Sequence, residues 1–177
     1  MRIAQLQQEF GVTLRHTVFA LHPETPEAGM EMSELFAGRG YDLGAISDRL
    51  QAVAAEVGLP LKVNTRIYNS RRAQELGKWS ESEGKGGAFR AAVYHAYFVA
   101  GRDISQTDEL TSIVADIGLP ADAAQQILRD RTFAGAVDAD WRRAGELGIT
   151  AVPTLHCQGR LLVGFTPYET LRQFIAD

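Results

Sequence analysis

Residues 148–174 read GITAVPTLHCQGRLLVGFTPYETLRQF, and this stretch decides the fold. Thr150 to Cys157 is a short, largely apolar run broken by Val152-Pro153. Gln158-Gly159 supplies a tight turn, and Leu161-Leu162-Val163 resumes the apolar pattern. Two short strands joined at a glycine make a β-hairpin. Pro167 stands near the first turn of a closing helix that runs to Phe174.

Upstream of the hairpin the pattern is helical. Val137, Trp141, Ala144 and Leu147 share one helix face, and another helix lies near Ala121 to Arg129. Ser105 with Asp108 reads as a capped start for Leu110, Ile113, Val114 and Ile117, which Gly118-Leu119-Pro120 ends. Phe89, Val93, Tyr97 and Phe98 follow a break at Gly84 to Gly87. Asn69 can cap a helix beginning near Ser70. From Asp42 onward, Leu50, Val53, Ala54 and Val57 form a face closed by Gly58-Leu59-Pro60. At the front, Ile3, Leu6 and Phe10 mark a helix over Arg2 to Phe10, ended by Gly11. Val12, Leu14, His16 and Val18 alternate with Thr13, Arg15 and Thr17, which predicts a strand over Val12–Phe19. His22-Pro23-Glu24-Thr25-Pro26-Glu27 is a loop, because two prolines forbid regular pairing. Few strands surround a long helical block, so the block reads as an insertion covering a small sheet.

Composition narrows the function classes. The chain has 177 residues, 45% hydrophobic and 23% charged, with a formal net charge of -4 and no basic block. Nucleic acid has no electrostatic footprint here. Arg71-Arg72 reads as a solvated helix face. No segment reaches the ~18 apolar residues of a membrane span. The opening MRIAQLQQEFG lacks the apolar core of a secretory signal, and a single Cys157 argues against a disulfide framework. These features place the expected compartment in the cytoplasm.

Four segments carry a family resemblance, in order along nearly the whole chain. They are residues 19–30 (FALHPETPEAGM), 96–105 (AYFVAGRDIS), 148–154 (GITAVPT) and 164–171 (GFTPYETL). The set resembles the FrnE-like branch of the DsbA thioredoxin-fold family, a superfamily shared with 2-hydroxychromene-2-carboxylate isomerases. The resemblance implies an α/β thioredoxin-like fold with a large all-helical insertion. Residues 1–40 and 145–177 would form the thioredoxin-like part, and 41–144 the insertion. It also implies thiol–disulfide oxidoreductase chemistry and a cis peptide bond at Val152-Pro153. In this family a first strand leads into a Cys-Pro-x-Cys turn at a helix start, where unpaired N–H groups lower the thiol pKa. The chain begins within the helix that follows that turn, and it has no Cys-x-x-Cys anywhere. The fold is therefore expected to miss its first, interior strand, and no catalytic residue is assigned. The related glutathione-dependent isomerases and kappa-class transferases place a serine at that helix start, and this chain has no equivalent.

A missing interior strand leaves two edges facing a gap, and exposed edges invite pairing. Three outcomes are expected: Val12–Phe19 pairs directly with Thr154–Cys157, another chain fills the gap, or the true start lies upstream of Met1.

Val152 and Pro153 are the substrate-binding candidates, because the backbone before this proline can bond an extended peptide or glutathione by strand addition. Cys157 lies inside the hairpin and reads as a small strand residue. His22 reads as a loop anchor. His16, His95 and His156 have no metal-site spacing, so no zinc site is expected. Trp79, Trp141, Phe89, Tyr94, Tyr97 and Phe98 read as core of the insertion. Gly84-Lys85-Gly86-Gly87 fits no phosphate-binding fingerprint. The leading expectation is a DsbA/FrnE-like family member that lacks the redox motif and is inactive alone. The alternatives are a binding or oligomerisation module on the same scaffold, and a glutathione-dependent isomerase or transferase relative. No cofactor, metal, nucleic acid or membrane is expected. The partners expected are a peptide or glutathione at the proline segment and a second copy at the sheet edge.

Overall fold

The computed structural model describes residues 2–177. The elements run α1 (Arg2–Phe10), β1 (Met30–Glu31), α2 (Met32–Leu35), α3 (Leu43–Glu56), β2 (Arg66–Ile67), α4 (Arg71–Ser82) and α5 (Gly86–Phe98). They continue with α6 (Thr107–Asp116), α7 (Ala121–Asp130), α8 (Ala134–Glu146), β3 (Thr154–Cys157), β4 (Arg160–Val163) and α9 (Tyr168–Ala176). The chain divides into two compact units, Met1–Leu21 with Asp138–Asp177, and His22–Val137.

The second unit, His22–Val137, is built on helices α4 to α7. Leu76, Phe89, Leu110, Ile113, Val114 and Ala124 are buried to 2% exposure or less, and Trp79 and Val93 join them. Full burial of each large apolar side chain stabilises the fold by about 1.5–3 kcal/mol. Glu75 of α4 lies in the same interior at 0% exposure. It is tolerated there because Arg71 reaches it at 3.0 Å and Arg131 grips it with contacts of 2.6 and 2.9 Å. Arg131 ends α7 in the left-handed conformation, φ 53. Antiparallel β1 and β2 make a small ribbon, with Met30 opposite Ile67 and Glu31 opposite Arg66. The Arg66 guanidinium reinforces it by donating to Glu31 at 2.9 Å and to the Ala28 carbonyl at 2.7 Å. Asp42 caps α3 by accepting from the Ala45 N–H at 3.0 Å.

The first unit holds α1, α9 and the β3–β4 hairpin, in which Thr154 faces Val163 and Cys157 faces Arg160. α1 docks on α9 at both ends. Arg2 donates to the Thr166 carbonyl at 2.7 Å and stacks 4.2 Å over the Phe165 ring. At the other end Glu9 accepts from Tyr168 at 2.5 Å and from Arg172 at 2.6 Å. Leu6 and Leu171 are the buried apolar residues of these two helices.

Several expectations need correction. Val12–Phe19 is not a strand, and it does not pair with Thr154–Cys157: among the described residues β3 is bonded only to β4. The alternation survives as burial, since Val12 and Leu14 are half-buried while Thr13 and Arg15 are exposed. A ladder, however, needs a neighbouring strand, and the Val18 N–H donates instead to the Asp140 carboxylate of α8 at 3.1 Å. The two compact units meet at 21/22 and 137/138. Residues 22–40 belong with the helical unit because β1 pairs with β2 and the Asn69 amide donates to the Thr25 carbonyl at 2.7 Å. Tyr94 and Phe98 are 60% and 43% exposed rather than core, and Trp141 lies in the first unit. Of the α3 face, Val53, Ala54 and Val57 are half-buried and Leu50 is 51% exposed, with no residue fully buried. α5 begins at Gly86, inside the expected glycine break, and α6 begins after Gln106 rather than Ser105.

Candidate functional site

The Val152-Pro153 segment bridges α8 and β3 in the first unit. α8 closes on two backbone bonds, from the Gly148 N–H to the Gly145 carbonyl and from the Ile149 N–H to the Ala144 carbonyl. The chain then bends through Ala151 to Pro153. The Thr154 hydroxyl donates back to the Ala151 carbonyl at 2.7 Å, and the Gly164 N–H donates to the Pro153 carbonyl at 2.8 Å. These two bonds hold the segment against the open end of the hairpin. The Val152–Pro153 peptide bond is cis. Val152 is 47% exposed and Pro153 is exposed beside it. Val163 and Phe165, at 56% and 61% exposure, add apolar surface at the same end of the hairpin.

Cys157 lies four residues past Pro153, half-buried in β3 and directly opposite Arg160. The Arg160 guanidinium is engaged elsewhere, donating to the Phe174 carbonyl at 2.9 Å and lying 5.1 Å from that ring. His156 is exposed on the same strand. His22 packs edge-on against Phe36 with ring centroids 5.9 Å apart, and its carbonyl accepts from both the Thr25 N–H and the Thr25 hydroxyl. His95 is exposed on α5. No group of three or more His, Cys, Asp or Glu able to hold a metal occurs among the described residues. No described helix is long and apolar enough to cross a membrane.

Asp140 escapes the sequence reading. It is 4% exposed, and it fixes the 12–20 segment through Val18, with Arg15 3.9 Å away. The available signal was a carboxylate one position from Trp141, on the side of α8 that carries Val137 and Ala144. Glu75 has the same character, a charge set beside Leu76 and Trp79.

The model of the DSBA-like thioredoxin domain matches residues 1–176. The chain belongs to this family. A solved structure of a probable DsbA oxidoreductase from Streptomyces coelicolor superposes with a TM-score of 0.86 at 25% identity. That match covers 99% of this chain and 80% of the other. A 2-hydroxychromene-2-carboxylate isomerase matches at TM-score 0.75 and 21% identity, covering 99% of this chain and 84% of the other. The cytosolic disulfide reductase DsbM from Pseudomonas aeruginosa matches at 0.53 and 22%, covering 75% of this chain and 74% of the other. The last two likenesses concern fold alone. No curated protein matches the chain. The thioredoxin-like fold with its helical block is thus a DSBA-type fold.

Proposed function

We propose that this DSBA-family chain is a FrnE-like scaffold for thiol–disulfide exchange that presents the Val152-Pro153 segment to a peptide or glutathione and does not complete the exchange alone. The observation that carries this reading is the family match over residues 1–176 together with a single cysteine. Exchange by a paired-thiol enzyme needs one thiolate to attack and a second to resolve the mixed disulfide. Cys157 supplies one sulfur, and it sits in a strand rather than at a helix N-terminus where a thiolate is favoured. The exposure of Val152 supports the binding half of the reading, since extended peptides dock on such segments through main-chain hydrogen bonds. The lone thiol, with no disulfide framework, favours the cytoplasm as the working compartment.

Two measurements test this. An insulin-reduction assay on the chain should give no turnover above background; clear turnover would assign chemistry to Cys157 and overturn the reading. Amide shifts on titration with glutathione or an extended peptide should centre on Ala151, Val152 and Thr154. Shifts confined to other residues would remove the binding half.

A second reading, a binding module that works by strand addition, is favoured by one observation: among the described residues β3 is hydrogen-bonded on one side only. Its free edge would take a second copy of the chain. Sedimentation should then show a dimer that dissociates on dilution, and a monomer at all concentrations excludes it.

A further inference from the structure

Three helices of the second unit leave an open cavity between them. α7 packs against both α4 and α6. The space is about 340 Å³ and is lined by Arg72, Thr107, Asp108, Gln125, Leu128 and Arg129. That is about ten water volumes, within the size range of small-ligand pockets.

The lining carries both signs of charge, held apart. Arg72 meets Glu27 at 3.4 Å on the open surface, and Arg129 donates to the neutral Gln126 side chain at 2.7 Å. The Asp108 carboxylate forms no ion pair among the described residues. Two guanidinium groups and one carboxylate thus border one space without neutralising each other. A simple anion placed there meets the Asp108 charge, and a simple cation meets two arginines. A ligand with an anionic and a cationic group side by side satisfies all three.

We propose that this cavity binds a small zwitterion, a free α-amino acid. The ligand carboxylate would sit between Arg72 and Arg129, where guanidinium geometry favours it. The ammonium would face Asp108, the Gln125 amide would add a hydrogen bond, and the buried Leu128 side chain would form the apolar floor against the aliphatic part. The charges are solvated, so affinity lies in the millimolar range. The site is on the helical unit, separate in sequence from Val152-Pro153, and independent of the reading given to that segment.

The test is titration of the ¹⁵N-labelled full chain with L-alanine, and with acetate, methylammonium and inorganic phosphate as partial ligands. Saturable shifts at Thr107, Asp108, Gln125 and Arg129 are expected with L-alanine. Acetate, methylammonium and phosphate should each bind at least about tenfold more weakly. Asp108→Asn and Arg129→Gln should each weaken L-alanine about tenfold, with an otherwise unchanged spectrum. Both positions are exposed, so the fold survives their change. Absence of saturable shifts at these amides overturns the proposal. So does phosphate or acetate binding as tightly as L-alanine, which would mark a plain anion site.

Discussion

Glu75 sits at 0% exposure between Arg71, itself only 18% exposed at the side chain, and Arg131, which is half exposed. Removing the carboxylate strands the Arg71 charge in the interior. Glu75→Ala should therefore lower stability by about 3 kcal/mol. The urea midpoint of the helical unit measures it; a shift worth under about 1 kcal/mol would mean that both arginines regain water. The Glu9 cluster behaves differently because it is exposed. Donation from the Tyr168 hydroxyl, then from the Arg172 guanidinium, holds the Glu9 carboxyl below its ordinary value. The folded chain then takes up this proton less readily than the unfolded chain. Its contribution is whole above the ordinary carboxyl value and is lost as pH falls through the lowered one. Tyr168 has the opposite sign. Withdrawal from water, then donation to Glu9, pushes its phenol from 10.0 up to about 12. That contribution is whole below pH 10.0 and disappears as pH rises toward 12. Tyr168→Phe should remove one of the last phenols to ionise in a tyrosinate absorbance titration, and should flatten the alkaline loss of stability.

At the scale of elements, the β1–β2 ribbon depends on Gly29. Its φ is +70, and a Cβ there would lie 2.6 Å from the Ile67 carbonyl oxygen. Gly11 has φ +63 and open space around it. Gly11→Ala should cost about 1–2 kcal/mol from the left-handed backbone alone. Gly29→Ala should cost clearly more and expose the Ile67 amide region to hydrogen exchange; equal costs would mean the ribbon shifts freely. The extended segment before β1 makes a second case. Asp140→Ala leaves the Val18 N–H without its acceptor, at about 1–3 kcal/mol. Exchange at that amide should accelerate, while α8 amides distant from residue 140 stay unchanged.

These elements also show what was legible in the sequence. Helices α1, α3, α7, α8 and α9 follow from apolar periodicity with glycine, proline or aspartate at their ends. The hairpin follows from Gln158-Gly159 between two apolar runs. The strand over Val12–Phe19 misled because alternation reports which side of a chain is covered, and says nothing about a partner for its backbone. The two-residue strands β1 and β2 carry no periodicity at all, so only their pairing in space defines them. Tyr94 and Phe98 misled for a related reason: aromatic residues at helical spacing mark a face, and here that face meets water.

For the whole molecule, burial is uneven. The twelve-residue apolar cluster lies entirely within His22–Val137. In the other unit the buried apolar residues among those described are Leu6, Ala144 and Leu171. Hydrogen exchange should accordingly be slowest at amides of α4, α5 and α6, and faster throughout α1, β3, β4 and α9. Matching protection in both units would show that they unfold as one. The cis bond at Val152-Pro153 was legible in the GITAVPT motif. Its support was not: the Gly164 N–H reaches the Pro153 carbonyl from the far side of the hairpin. The lone sulfur has a practical use as well. A nitroxide or maleimide dye reacted with this chain can attach at Cys157 alone, with no cysteine removed first. The label then sits on the strand whose outer edge is unbonded among the described residues, where its mobility or emission reports directly on any strand that arrives beside it.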